Sequence, residues 1–177
     1  RGLGDVYKRQ AWNLQLAPEV IAKMEKAGKG VAIAGFGPLV ERLEMNMTNP
    51  SPSLDADTRS TVKAPHPFLT DINVRKALSM AIDRPLLVEI GYGKAGDVTC
   101  DLVPAPDNYA AKNDYCTKQD IAGANALLES AGWKKGGDGI RQKDGVRLSI
   151  LYQTSTNAVR QDFQALIKEW WSQIGVE

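Results

Sequence analysis

The chain has 177 residues, with 22 Lys plus Arg against 21 Asp plus Glu, a formal net charge of +1 and 43% hydrophobic residues. That balance argues against a nucleic-acid binder living on counterion release, which carries a basic surplus or stripe, and against a disordered chain. No run approaches the roughly 18 consecutive apolar residues of a membrane helix, and 1 His with 2 Cys excludes the common multi-His and Cys-rich zinc sites.

Asp5 to Gln10 resembles the conceptual translation of a transposase adapter, so residues 1–10 are read as a non-native scar and kept out of the functional reasoning. Pro18, tolerated in a first helical turn, opens a short helix with Val20, Ile21 and Met24 on one face and Gly28 as its stop. Gly30–Phe36 and Leu39–Met47 read as β-rich stretches with Gly37-Pro38 as the turn between them. In the second, Leu43, Met45 and Met47 alternate with Arg42, Glu44 and Asn46, the period of a half-buried strand. Asn49–Pro67 is a Pro-, Ser- and Asp-rich loop, longer than compact domains usually hold and expected to travel between subdomains or over a surface.

Asp71 is the expected cap of a helix whose stripe is Val74, Leu78, Ala81 and Ile82. Asp83 restarts the helix with Pro85 in its first turn and the Gly91-Tyr92-Gly93 stop at its end. An irregular segment from Ala95 to Cys116 follows, then an amphipathic helix through Ile121, Ala124, Leu127, Leu128 and Ala131 that Gly132 stops. Gly139–Gln142, Asp144-Gly145 and Val146–Tyr152 read as a hairpin. The last helix runs from about Asn157 to Gln173, capped by Thr156 or Ser155, with Val159, Phe163, Leu166, Ile167, Trp170 and Ile174 on its stripe. Neighbouring helical residues point about 100° apart, so Trp171 lies off that stripe and is expected to be partly buried against another element. The chain stops at Glu177 where a strand is due, and it reads as a fragment.

Several of these stretches carry a family resemblance. Pro67-Phe68 followed by Asp71-Ile72-Asn73-Val74-Arg75-Lys76-Ala77-Leu78 and Ala81-Ile82-Asp83-Arg84 is one. Ala126-Leu127-Leu128 with Ala131-Gly132-Trp133, the hairpin residues Asp138-Gly139-Ile140-Arg141, and the ending Ile174-Gly175 are others. In this order they resemble the family 5 extracellular solute-binding proteins, the peptide- and nickel-type binding proteins of ABC importers. The resemblance implies an α/β, periplasmic-binding-protein-like (two-lobe, type II) fold, here an incomplete fragment with a mixed sheet and flanking helices. Residues 11–47 would be the tail of the first lobe plus a hinge-crossing strand, and residues 48–177 part of the second lobe. The connection from Pro50 to His66 is longer than the family's short run into Pro-Phe.

The resemblance further implies a non-enzymatic protein without a cofactor, periplasmic or extracytoplasmic and lipid-anchored, monomeric when full length. It would capture a peptide or other small solute between two lobes and deliver it to ABC permease subunits. A nickel chelate or an oligosaccharide is the alternative ligand, and a small hydrolase the rival class. Binding proteins need convergent polar groups in an apolar cleft rather than a nucleophile. Trp12 and Asn13 match the family's cleft-lining aromatic-Asn pair, which a core Trp beside a turn Asn explains equally well. Glu44 falls near the ligand at the hinge, where its carboxylate would meet an ammonium. Tyr152, Thr154, Ser155 and Asn157 form the strand-to-helix loop that faces the cleft in the family, with Arg160 as the nearest basic residue. Helix capping accounts for the hydroxyls as readily. His66, between two prolines without an orienting partner, reads as a surface histidine. In an exported protein Cys100 and Cys116 would form a disulfide.

Overall fold

The computed structural model describes residues 18–29, 31–33 and 35–177. Helix α1 (Pro18–Lys26) buries Ile21, while Val20 and Met24 stay exposed. It is tied to the 3-10 turn Gly93–Ala95 by a 2.6 Å ion pair between Glu25 and Lys94.

Neither β-rich stretch forms a strand among the described residues. The expected strand over 39–47 is an extended segment whose regular pairing is a lone antiparallel bridge, Thr48 with Pro65. Alternation selects which side of a segment faces the core, but a strand also needs a neighbour to supply its ladder. Leu43 and Met45 pack against the core and Arg42, Glu44 and Asn46 are exposed, as the alternation predicts, but Met47, expected on the inward side, is 40% exposed. The long loop runs over the surface and closes on itself. Asn49 N–H donates to Ala64 at 2.8 Å and His66 N–H to Met47 at 2.8 Å, so the chain leaves and returns at one place.

Aspartates start the next helices. Asp71 accepts from Asn73 N–H and opens α2 (Ile72–Met80); Asp83 accepts from Leu86 N–H and opens α3 (Arg84–Gly91). Asp120 accepts from Gly123 N–H and opens α4 (Ile121–Ser130). Asp120 N–H also donates to Met80 C=O at 2.8 Å, which sets the start of α4 against the end of α2. Between α3 and α4 the Cys100–Cys116 disulfide staples the irregular segment, and Arg84 donates to the Cys116 and Ser79 carbonyls beneath it.

Strands β1 (Lys134–Lys135), β2 (Arg141–Lys143) and β3 (Val146–Arg147) form an antiparallel sheet in that order, with Lys134 opposite Gln142 and Gln142 opposite Arg147. Asp144 (φ 51) and Gly145 (φ 78) make the two-residue turn in which both central residues need positive φ. Past β3 the chain gains a parallel neighbour: Glu177 N–H donates to Leu148 C=O and Ile150 N–H to Glu177 C=O, bracketing Ser149. Helix α5 (Ala158–Gln173) makes that crossover.

One core unites these pieces: Phe68, Val74, Leu78, Ile82, Leu128, Trp133, Leu148, Phe163, Ile167, Trp170, Trp171 and Ile174. Trp170 is 8% exposed and Trp171 7%, so the second tryptophan is buried rather than partly so. Its indole N–H reaches Leu78 C=O at 3.0 Å, so α5 presents two buried faces, one of them to α2.

Candidate functional site

The loop from Tyr152 to Asn157 leads into α5. Tyr152 is half-buried, its ring 5.8 Å from that of Trp171, and its carbonyl accepts from Gln164 at 2.6 Å. Thr154, Ser155 and Thr156 are exposed. The cap is Asn157 rather than Ser155 or Thr156: its side-chain oxygen accepts from Arg160 N–H at 3.2 Å with extended backbone (φ −63, ψ 125). Asn157 sits immediately before the first helical residue, the position from which a side-chain oxygen reaches the first-turn amides.

One turn in, Arg160 turns toward the extended segment. Its Nη2 donates to Glu41 Oε2 at 3.2 Å, and its Nε lies 2.9 Å from Glu41 Oε1. From the C-terminal end of α3, Tyr92 donates its phenol O–H to the same Oε2 at 2.9 Å, while its ring packs edge-on to Phe163 at 6.0 Å. Burial, then the hydrogen bond to Glu41, pushes the Tyr92 phenol up to about 12. Burial, followed by the charge of Glu41, raises the Tyr152 phenol as well. The ion pair is open to water, with side chains 41% exposed for Arg160 and 33% for Glu41. The arrangement can exchange one carboxylate for another and can orient a polar ligand.

The structure therefore brings Tyr152, Asn157 and Arg160 together at one end of α5. Glu44 does not join them: it is exposed and pairs at 2.9 Å with Arg42, two residues earlier. Trp12 and Asn13 lie outside the described residues. Glu41 and Tyr92 were missed. Glu41 has the parity of Leu43 and Met45, and a charge on the apolar side of an alternating segment was the signal that marked it. Tyr92 stood in a helix-stop motif, and nothing local indicated its partner.

Elsewhere, a hollow of about 240 Å³ is lined by Pro67, Asp71, Trp133, Lys143, Asp144 and Val146. Its Asp71 and Lys143 polar atoms already have protein partners. Asp71 accepts from Trp133 Nε1 at 3.1 Å and from Asn73 N–H at 2.8 Å, and Lys143 donates to Ala131 C=O at 2.9 Å. Burial raises the Asp71 carboxyl, but those hydrogen bonds and the Lys143 charge outweigh it and hold the group below its ordinary value. His66 is likewise structural and half-buried: its Nδ1 accepts from Phe68 and Leu69 N–H at 3.3 and 3.1 Å, and burial lowers its pKa.

Comparison with known proteins adds an independent line. The family model described as bacterial extracellular solute-binding proteins, family 5 Middle, matches residues 8–177. The oligopeptide-binding protein AppA of Bacillus subtilis (strain 168) is 35% identical over 115 residues, covering 60% of this chain and 20% of AppA. The crystal structure of the Thermus thermophilus oligopeptide binding protein complexed with pentapeptide superposes with a TM-score of 0.55 at 32% identity, covering 61% of this chain and 19% of that one. NikZ from Campylobacter jejuni in complex with Ni(L-His) gives a TM-score of 0.57 at 30% identity, covering 63% and 22%. The chain thus spans only 19 to 22% of the length of these relatives.

Proposed function

Because the chain belongs to the family 5 bacterial extracellular solute-binding proteins, which are transport binding proteins and not enzymes, we propose that it is part of the extracytoplasmic binding component of an ABC importer. That component captures a peptide or similar small solute between two hinged lobes and hands it to a membrane permease. In this reading residues 11–47 are the tail of the first lobe and the hinge-crossing segment, and residues 48–177 are part of the second lobe. The whole protein is a monomer, exported and either free in the periplasm or held at the membrane by a lipid anchor. Among the described residues, no helix is long and apolar enough to cross a membrane.

The observation that carries this reading is the convergence of Arg160, Tyr92 and the Tyr152–Asn157 loop at one end of α5. Guanidinium and phenol donors together suit a carboxylate. The pentapeptide of the Thermus protein and the L-His of NikZ are both carboxylate-bearing ligands. The ligand is therefore a peptide in the first reading and a metal–amino-acid chelate in the second. Tyr152, Thr154, Ser155, Asn157 and Arg160 are the proposed ligand contacts of this wall, and Trp12 and Asn13, outside the described residues, are the proposed contacts of the first-lobe tail. Glu44, paired with Arg42, is left out. Isothermal titration calorimetry of the full-length protein tests the assignment. Saturable heats with tripeptides and none with oligosaccharides are expected. Heats with Ni–histidine alone redirect the ligand to the chelate, and binding of oligosaccharides alone overturns it.

A further inference from the structure

Glu41 already occupies the donors that an incoming carboxylate would use. Tyr92 and Arg160 both address it, one from the end of α3 and one from the first turn of α5. Glu41 itself comes from an extended segment that has no strand ladder among the described residues. The fit is incomplete. Arg160 Nε is buried, and its N–H is aligned with no acceptor although Glu41 Oε1 is 2.9 Å away, so the contact there is Coulombic and not a hydrogen bond. A guanidinium binds best when a planar carboxylate meets two of its N–H groups side by side, and here Glu41 faces both Nε and Nη2 but aligns well with only one of them.

We infer that Glu41 is a resident competitor at a carboxylate site made by Arg160 and Tyr92, and that it restricts ligands to those whose own carboxylate can displace it. Binding at this point is an exchange: the ligand carboxylate takes both Arg160 donors, and Glu41 moves off into water or onto the ligand's ammonium. A neutral amide has one acceptor oxygen and presents N–H groups toward the guanidinium, so it does not win the exchange. This inference rests on the peptide-type reading of the same site and adds to it the ligand terminus and the residue that selects it.

The test compares trialanine with trialanine amide on the full-length protein by calorimetry, for wild type, Glu41→Gln, Glu41→Asp and Arg160→Gln. Glu41→Gln keeps an acceptor for Tyr92 but removes the competing charge, so trialanine should bind about tenfold more tightly with the amide unchanged. Glu41→Asp, one methylene shorter, should give a smaller gain of the same sign. Arg160→Gln should abolish the preference for the free carboxylate. If wild type binds trialanine and Glu41→Gln weakens that binding or leaves it unchanged, the competitor role is overturned while the peptide reading stands. If neither peptide binds any variant, acetate decides through protection of Arg160 from phenylglyoxal. Protection in Glu41→Gln but not in wild type retains the exchange site and removes the peptide reading, and no protection in either overturns both.

Discussion

Arg141 is the residue on which the second half of the chain closes. It is 3% exposed, and every branch of its guanidinium is used. Nε donates to Ile174 C=O at 2.9 Å, Nη1 to Trp133 C=O and to Glu129 Oε2, and Nη2 to Asn125 Oδ1 at 2.9 Å. The Ile174 carbonyl lies at the C-cap of α5, where a helix end leaves acceptors and partial negative charge, and the Trp133 carbonyl lies three residues past α4. Arg141→Met keeps the stem and removes the donors, leaving those carbonyls buried without partners. The expected cost is about 3 kcal/mol, read as a fall in the urea midpoint. Arg141→Lys should recover only part of it, because one ammonium cannot span the fork. Hairpin alternation offered no hint of this role: Arg141 belonged to a resemblance motif, and only the packing of both helix ends against β2 identifies its partners.

Helix α3 and helix α5 approach at Gly91. A Cβ there would sit 2.7 Å from Phe163 Cε1 and 2.8 Å from Val159 Cγ1, well inside contact distance. Helix propensity alone predicts that Gly91→Ala stabilises by about 1 kcal/mol. Overpacking predicts the opposite sign, a loss of about 2 kcal/mol as α5 is pushed away. Thermal unfolding decides between them, and a lower melting temperature is the expected result. Because Tyr92 follows Gly91 directly, the same variant should loosen the phenol from Glu41. At this scale much was legible: Asp71 and Asp83 cap their helices as read, and Asp144-Gly145 makes the hairpin turn. The Ser155 or Thr156 cap failed by a residue, since several capping types in succession leave the local code degenerate. Among the described residues the strands expected over 30–36 and 39–47 do not form, for a different reason: pairing is a property of neighbours and not of the segment.

For the molecule as a whole, the disulfide closes the least regular stretch. Cys100 and Cys116 are bonded with Cα atoms 5.7 Å apart, and the chain has no free cysteine. The double variant Cys100→Ser with Cys116→Ser should cost about 3 kcal/mol in the chain-entropy account. Denaturant unfolding measures it, and thiol titration of the unreduced protein should find no reactive cysteine. The underlying core should persist, because Arg84 still bridges Ser79 and the Cys116 carbonyl and α2 still packs on α4.

By itself the sequence determined the helices, the Asp71 and Asp83 caps, the hairpin turn and the family, because capping, periodicity and turn chemistry act within a few residues. It also determined that Leu43 and Met45 face inward. Only the tertiary structure decided that Glu41 and not Glu44 meets Arg160, that Trp171 is buried as fully as Trp170, and that Arg141 gathers two helix ends. Those outcomes depend on which elements meet. A charged or aromatic side chain carries no local mark of the partner, far along the chain, that satisfies it.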